Sequence, residues 1–227
     1  MIGGKAAPGY ARAKVIIHLI NAVGAVINND PEVQDLLKLI FLPNYNVSSA
    51  QTIIPAAELS QHISTAGTEA SGTSNMKFVM NGCLIIGTMD GANVEIAQEI
   101  GQENMFIFGL DIDGVNKARS QMYHENKRDY YGAELTKVYE MIQSGAFGGD
   151  HNDFNQLICD LRDGRDHYLV SHDFGTYAEA QLRVDKAYKD QKLWNKMAIT
   201  GVAKSGKFSS DRTIEEYAKD IWNIKSV

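Results

Sequence analysis

The sequence has few cysteines, no excess of basic residues and no long apolar run. Two of its 227 residues are cysteine, and Cys83 and Cys159 fit neither a disulfide framework nor a metal-binding motif, which predicts a reducing compartment. The net charge of −6 and the lack of a Lys/Arg block argue against a nucleic-acid surface. No apolar run reaches membrane-spanning length. Residues Met1 to Tyr10 contain Gly and Pro in place of the apolar region of a signal peptide.

The first half of the sequence alternates short apolar runs with helical patterns. A helix with one apolar face is predicted over residues 11–28, ending at Asn29-Asp30-Pro31. A second helix is predicted over Ala92–Ile100. Strands are predicted at Leu37–Leu42, Glu58–Ser64, Cys83–Thr88 and Met105–Gly109. This rhythm is typical of a mostly parallel α/β sheet.

After Asp111 the pattern becomes helical. Glycines at 145, 148 and 149 interrupt the helices, which are predicted over residues 112–142, 153–163, 173–200 and 211–222. We therefore predict a partial Rossmann-like α/β core over residues 1–111 and a helical part packed on the same lobe over residues 112–227. Because the chain opens on a glycine turn with no preceding half-sheet, we expect that it starts inside a domain.

The densest chemical signal is the stretch Ser64–Phe78, where glycine and hydroxyl-bearing residues precede a helical segment. Backbone N–H groups at Gly72, Thr73 and Ser74 would lie at a helix N-terminus, which favours binding of a phosphate group. Lys77 follows one turn later, and a lysine held in such a pocket can form a Schiff base.

The same loop contains Glu69, whose carboxylate suits the binding of sugar hydroxyls. Spacing alone leaves a plainer interpretation open, in which the loop is an ordinary helix cap and the lysine is solvated. The pattern Ser74-x-x-Lys77 also occurs in penicillin-binding serine hydrolases, but the S-D-N and K-T-G elements of that class are missing.

Other motifs are weaker. The histidines show no metal-ligand spacing, no metal site is predicted, and four histidines are expected at the surface: His124, His151, His167 and His172. The segment Ser209-Ser210-Asp211 is predicted to cap the final helix.

Five segments together resemble one family: IGGKAAPGY, IFLPNYNVS, ISTAGTEASGTSNMKF, IGTMDGANVE and SGKFSSDRTIEEYA. They are similar to the α-glucan (glycogen or starch) phosphorylases, from residue 2 to about residue 222. The resemblance implies a glycosyltransferase of the two-lobed GT-B type, of which this chain would be the C-terminal Rossmann-like lobe, truncated at its N-terminal side. The implied reaction is retaining transfer of glucose between an α-1,4-glucan and inorganic phosphate, giving glucose 1-phosphate.

The resemblance also implies roles for individual residues. Lys77 would carry pyridoxal 5'-phosphate as a Schiff base, and the phosphate of that cofactor would relay a proton to the leaving oxygen. The other implied cofactor-binding residues are Gly72, Thr73, Ser74 and Tyr45. The implied glucose-binding residues are Glu69, Ser71 and Gly72. Tyr10 is expected near the cleft entrance.

Two residues depart from the animal enzymes of the family, Asn46 in place of arginine and Ser74 in place of glycine. Both resemble the plant enzymes, which favours starch as substrate and puts animal-type allosteric control in doubt. The family chain is several times longer, so we expect this chain to be inactive alone, because half a cleft cannot preorganise the reacting groups. A homodimeric parent in the cytoplasm or a plastid is expected.

Two other functions stay open. A nucleotide-sugar glycosyltransferase lobe would share the fold but would have no use for an imine-forming lysine. A non-catalytic interaction module would associate through apolar surface that the missing lobe otherwise covers.

Overall fold

A computed structural model describes residues 1–125, 132–148, 151–163 and 165–225, with the backbone alone at 122–125, 151 and 153. The described chain forms two compact units, each built from two segments: Met1–Gln51 with Ala118–Gly175, and Thr52–Lys117 with Thr176–Val227. This grouping does not test the predicted domains, residues 1–111 and 112–227, which stay a prediction.

The fold is mixed α/β with two small parallel sheets. The strands are β1 (Ile2–Gly4), β2 (Phe41–Pro43), β3 (Leu59–His62), β4 (Leu84–Gly87) and β5 (Phe106–Ile107). The helices are α1 (Ala11–Ile27), α2 (Val47–Ala56), α3 (Ser74–Met80), α4 (Ala92–Ile100), α5 (Ile112–Glu125), α6 (Ala133–Gln143), α7 (His151–Arg162), α8 (Val170–Lys189), α9 (Gln191–Lys204) and α10 (Ser210–Asp220). In the described ranges no helix is both long and apolar enough to cross a bilayer.

The first unit contains a two-stranded sheet and a helical core. Strands β1 and β2 pair in parallel, with Gly4 opposite Pro43, and proline is tolerated there because each strand of such a pair is an edge strand. The strand predicted at Leu37–Leu42 was wrong at its start, since β2 begins at Phe41 and β1 offers three residues for pairing.

The helical core of the first unit lies among α1, α6 and α7. Its buried residues are Leu135, Tyr139, Ile142, Phe154 and Ile158. Residues Val15, Leu19 and Ala22 of α1 pack against them at the spacing of one helical face. The buried face of α1 is narrower than the apolar face predicted from the sequence, because Ile16 and Val26 on the same helix are exposed.

The second unit contains the sheet β3-β4-β5, in which both pairs are parallel. The central strand β4 is buried along its length. Leu84 and Ile86 belong to one core cluster with Trp194, while Ile85 belongs to another with Val79. Successive side chains of a strand point to opposite faces, so a strand covered on both faces is a continuous apolar run, as the sequence LIIG indicates.

Most predicted helices are confirmed, including α4, whose bounds match. Helix α2 was not predicted. Asn46 is a sequence signal for its start, since the Asn46 Oδ1 accepts the Ser49 N–H at 3.1 Å, as the side chain of an N-cap residue does. The helix predicted over 173–200 is broken at Asp190, which caps α9 by accepting the Leu193 N–H at 3.0 Å. The cap predicted at Ser209-Ser210-Asp211 is confirmed, with Ser209 as the capping residue. Gly149 and part of the helix predicted over 112–142 lie outside the described residues.

Candidate functional site

A cavity of about 210 Å³ in the second unit lies where the chain leaves the carboxyl ends of β3 and β4. Its lining residues are His62, Ser64, Glu69, Gly72, Thr73, Ser74, Asn75, Thr88, Asp90 and Asn93. The carboxyl ends of adjacent parallel strands are where open α/β sheets bind ligands. The walls are polar, and the lining residues include no lysine or arginine.

One wall is the loop that follows β3 and carries Glu69. Oε2 of this exposed carboxylate accepts the Ser64 hydroxyl at 3.3 Å. The backbone of the loop is held by Asp90, which follows β4: its Oδ2 accepts the N–H of Thr68 at 3.1 Å and of Glu69 at 2.8 Å. Asp90 is 8% exposed, so a buried carboxylate fixes the loop that presents an exposed one.

A chain of buried polar contacts ties helix α3 to the loop after β4. The Asn75 side-chain amide donates to the Asn93 Oδ1 at 2.9 Å, and the Asn93 amide donates to the Thr88 carbonyl at 2.9 Å. The Thr88 hydroxyl in turn donates to the Ser64 carbonyl at 2.6 Å. These bonds satisfy side chains that would otherwise be costly to bury, and they fix the floor of the cavity.

Two glycines allow the backbone segments around the cavity to approach each other. Gly72 has φ +89°, and Gly91 has φ +51° with its hypothetical Cβ 2.5 Å from the Ser71 carbonyl oxygen. The next residue, Ala92, donates its N–H to that same oxygen at 2.6 Å. Any side chain at position 91 would therefore collide with the loop.

His62, at the end of β3, lies on the cavity wall with a perturbed pKa. Its Nε2 is 2.9 Å from the Ser60 hydroxyl, and its ring meets the Phe78 ring edge-on at 6.0 Å. Burial lowers the pKa of His62 to about 4, and the negative charge of Glu69 offsets part of that shift. The imidazole is therefore neutral at physiological pH.

The structure brings together four of the residues singled out from the sequence: Glu69, Gly72, Thr73 and Ser74. It does not bring in the other three. The Ser71 carbonyl is used by Ala92, and Ser71 is not part of the lining. Lys77 is exposed on α3 and also lies outside the lining. Tyr45 belongs to the first unit, where its ring lies beside Gly3.

Sequence reasoning assigned no role to six lining residues. Two of them, Ser64 and Asn75, lie within the stretch Ser64–Phe78 that it singled out, and the other four are His62, Thr88, Asp90 and Asn93. The available signal for these four was their position near or after the carboxyl end of a predicted strand. Of the histidines expected at the surface, His167 is exposed and His172 is half-buried beside Asp173. The side chains of His124 and His151 lie outside the described residues. No group of three His, Cys, Asp or Glu residues suited to a metal ion occurs in the described part of the chain.

Comparison with known proteins identifies the family. Residues 1–224 match the carbohydrate phosphorylase family. The chain is 56% identical over 229 residues to an α-glucan phosphorylase, H isozyme, of Solanum tuberosum, covering 99% of this chain and 27% of the relative. It is 53% identical over 231 residues to the cytosolic α-glucan phosphorylase 2 of Arabidopsis thaliana, covering 100% of this chain and 27% of the relative.

A third relative is the chloroplastic/amyloplastic α-1,4 glucan phosphorylase L isozyme of Ipomoea batatas. It is 53% identical over 236 residues, an alignment that covers 100% of this chain and 24% of the relative. The chain thus spans about a quarter of the length of the relatives it matches. The match over nearly every residue shows that the chain belongs to the carbohydrate phosphorylase family.

Proposed function

We propose that this chain is part of an α-1,4-glucan phosphorylase, which transfers a glucosyl unit between the glucan end and inorganic phosphate with retention of configuration. The observation that supports the proposal is the cavity, whose lining includes Glu69 and the segment Gly72–Ser74 of the family motif. The names of the relatives, which are α-glucan phosphorylases, support the same activity. Starch or another plant glucan would be the substrate.

The sugar would be held by Glu69, Ser71 and Gly72. A carboxylate accepts hydrogen bonds from hydroxyl groups, and the Glu69 side chain is exposed at the cavity wall. With its carbonyl committed to Ala92, Ser71 would contribute its hydroxyl. Such contacts orient the glucosyl group without taking part in bond making.

The phosphate of pyridoxal 5'-phosphate would be held by Gly72, Thr73 and Ser74. This proposal is supported by the Thr73 side chain, which makes no capping hydrogen bond to α3, and by the first N–H groups of a helix, which lack intrahelical partners. When bound, the cofactor would supply a phosphate that relays a proton beside the substrate phosphate. The chain's own contribution is to orient that phosphate and to bind the sugar next to it.

Lys77 would form the Schiff base. It lies three residues after Ser74 and therefore on the same face of α3, although its side chain is exposed. The proposal requires this flexible four-carbon side chain to turn toward the cavity when the cofactor binds. The role of Tyr45 toward the cofactor rests on the family resemblance alone.

Turnover would need the rest of a two-lobed, GT-B type enzyme. The chain has about a quarter of the length of its relatives, and closure of a cleft is what preorganises donor, phosphate and catalytic groups. The parent enzyme would be a homodimer in the cytoplasm or a plastid; the names of two relatives place one in the cytosol and one in chloroplasts or amyloplasts.

Borohydride trapping followed by peptide mapping tests the cofactor site. The purified chain is incubated with pyridoxal 5'-phosphate, reduced and digested, in parallel with Lys77→Ala and with Lys219→Ala, which removes an exposed lysine of α10. We expect one modified peptide containing Lys77, lost in Lys77→Ala and kept in Lys219→Ala. Pyridoxal without its phosphate should label Lys77 at least tenfold less, because a charge-assisted hydrogen bond contributes about 1.5–3 kcal/mol.

Labelling scattered over surface lysines, or equal labelling by pyridoxal, would contradict the cofactor site. A separate assay of glucose 1-phosphate release from maltodextrin tests the need for the rest of the enzyme. We expect no turnover by the isolated chain, and turnover near the rate of a complete phosphorylase would overturn that part of the proposal.

A further inference from the structure

Glu69 lies on an exposed loop, and its own side chain does little to hold it. Within the described residues its carboxylate accepts one side-chain hydrogen bond, from the Ser64 hydroxyl at 3.3 Å, which is long for an O–H donor. A group that binds substrate must be held within a fraction of an ångström of its working position. The loop backbone must therefore be fixed from elsewhere in the fold.

The turn Asp90–Ala92, just after β4, makes three contacts with this loop. One oxygen of Asp90 accepts the N–H groups of Thr68 and Glu69 at 3.1 and 2.8 Å. Two residues later, Ala92 donates to the Ser71 carbonyl at 2.6 Å. The loop is thus held on both sides of Glu69 by a segment about 20 residues away in sequence.

We propose that Asp90 is a positioning residue for Glu69: its carboxylate holds the Thr68–Glu69 backbone so that the Glu69 side chain faces the cavity. Asp90 is 8% exposed, and it lies just after β4, the central strand of the sheet. The assignment of Glu69 to sugar binding rests on the proposed function. The positioning by Asp90 rests on the contacts alone.

A carboxylate is suited to this task because it accepts only. Two N–H donors converge on one of its oxygens, and hydrogen bonds to an ionised acceptor are about twice as strong as neutral ones. An asparagine would present one neutral oxygen in the same place and keep weaker versions of both bonds. Asp90→Asn should therefore weaken the hold on the loop in part, and Asp90→Ala should remove it.

Amide hydrogen exchange of the isotopically labelled chain, measured by NMR, tests the positioning without any ligand. We expect Asp90→Ala to speed exchange at the Glu69 amide by about tenfold to a hundredfold, with Asp90→Asn in between. The Thr68 N–H also donates to the Thr65 carbonyl at 3.0 Å, so its exchange should change less. Exchange at the amides of strand β4 should stay within about twofold. Asp220→Asn removes an exposed carboxylate of α10 and should change neither.

Equal acceleration in the loop and in β4 would mean that Asp90 only stabilises the unit as a whole, and would overturn the proposal. Unchanged exchange at the Glu69 amide in both Asp90 variants would overturn it as well. If Asp90→Ala does not fold, Asp90→Asn alone decides, since its isosteric side chain keeps the packing.

A double-mutant cycle connects the positioning to ligand binding, with glucose 1-phosphate as the probe. We expect Asp90→Asn to weaken binding several-fold in the wild-type background and to have no further effect in a Glu69→Ala background. Additive losses would mean that Asp90 does not act through Glu69. No binding by the wild-type chain would count against the sugar site proposed above, while the exchange result would still decide the role of Asp90.

Discussion

The side-chain amide of Asn75, on α3, donates a hydrogen bond of 2.9 Å to the side-chain oxygen of Asn93, on α4. Both residues are 3% exposed. Both asparagines line the cavity, so this bond couples the segment proposed to hold a phosphate to the segment that holds the Glu69 loop.

Replacing Asn93 should destabilise the second unit. Asn93→Ala removes the acceptor of Asn75 and the donor to Thr88, and a buried polar group left without its partner costs about 1–3 kcal/mol. We expect the free energy of unfolding in urea to fall by about 2 kcal/mol. The exposed Asn21→Ala on α1 should change it by less than about 0.5 kcal/mol; equal effects of the two variants would argue against the buried bond.

Gly91→Ala should distort the Glu69 loop. The added Cβ would lie 2.5 Å from the Ser71 carbonyl oxygen, at a residue with φ +51°, so either the turn or the loop must move. We expect a loss of about 2 kcal/mol or more in the free energy of unfolding. Gly206→Ala is the matched control, because a Cβ there meets no atom within 4 Å; a neutral Gly91→Ala would show that the turn is not tight.

His62 should make the unfolding free energy depend on pH. Its pKa in the folded chain is about 4, against 6.5 without the fold, so the unfolded chain binds more protons between these values. The contribution of His62 is complete above pH 6.5, falls as the pH drops through that window and levels off below pH 4. The loss is at most about 3 kcal/mol.

The measurement for His62 is urea unfolding at several pH values for the wild type and for His62→Gln, which cannot titrate. As the pH falls from 7 to 4, the unfolding free energy of the wild type should decrease relative to that of His62→Gln. A constant difference over that range would show that the imidazole is not desolvated in the folded chain.

Asp160 should stabilise the first unit through its partners. Burial alone would raise the pKa of Asp160, but the hydrogen bonds from Arg12 and Gln156 and the charges of Arg12 and Arg165 outweigh it, so the pKa is lowered. The resulting stability is present above the ordinary aspartate pKa and is lost as the pH falls through the lowered value. We expect Asp160→Asn to cost about 2 kcal/mol at pH 7.

The control for Asp160 is Asp163→Asn, whose side chain is exposed and reaches Arg165 at 3.6 Å. Exposed ion pairs contribute between about 0 and 1 kcal/mol. Urea unfolding of both variants at pH 7 distinguishes them, and an Asp163 effect as large as that of Asp160 would contradict the importance of burial.

Apolar side chains near the end of the chain should promote self-association. Helix α10 has no buried residue, and five large apolar residues on it or just after it are exposed: Ile214, Tyr217, Ile221, Trp222 and Ile224. Exposed apolar surface of this kind favours association. We expect sedimentation to show concentration-dependent oligomers that weaken in the double variant Ile214→Ser with Ile221→Ser. Oligomers unaffected by these changes would assign the association to another surface.

The parts of the fold that follow from local pattern were predictable from the sequence. Helix α4 and strand β4 were found because apolar spacing and glycine breaks define them within about ten residues. The predicted start of β2 at Leu37 was wrong, because an apolar run does not show how long the partner strand is. Helix α2 was missed because its apolar pattern is weak and a single capping residue, Asn46, does not by itself indicate a helix.

The site, too, was predictable only where its residues form a local pattern. The loop with Glu69 and Gly72 was visible because its residue types are unusual and contiguous. Asp90 was not, because it meets the loop through the pairing of β3 with β4, and the sequence does not state which strands are neighbours. The exposure of Lys77 was one of two outcomes left open, since a helix position near a motif does not say which way a long side chain turns.

The division of the chain into two compact units, each made of two separate segments, has a consequence for synthesis on the ribosome. The unit that begins with Met1 lacks its second segment until residue 175 has been made, and the hydrogen bond from Arg12 to Asp160 joins residues 148 positions apart. The other unit waits still longer, for the helices after residue 176. Neither unit can close before its second segment has been synthesised, so we expect apolar strands of each first segment to stay uncovered until then.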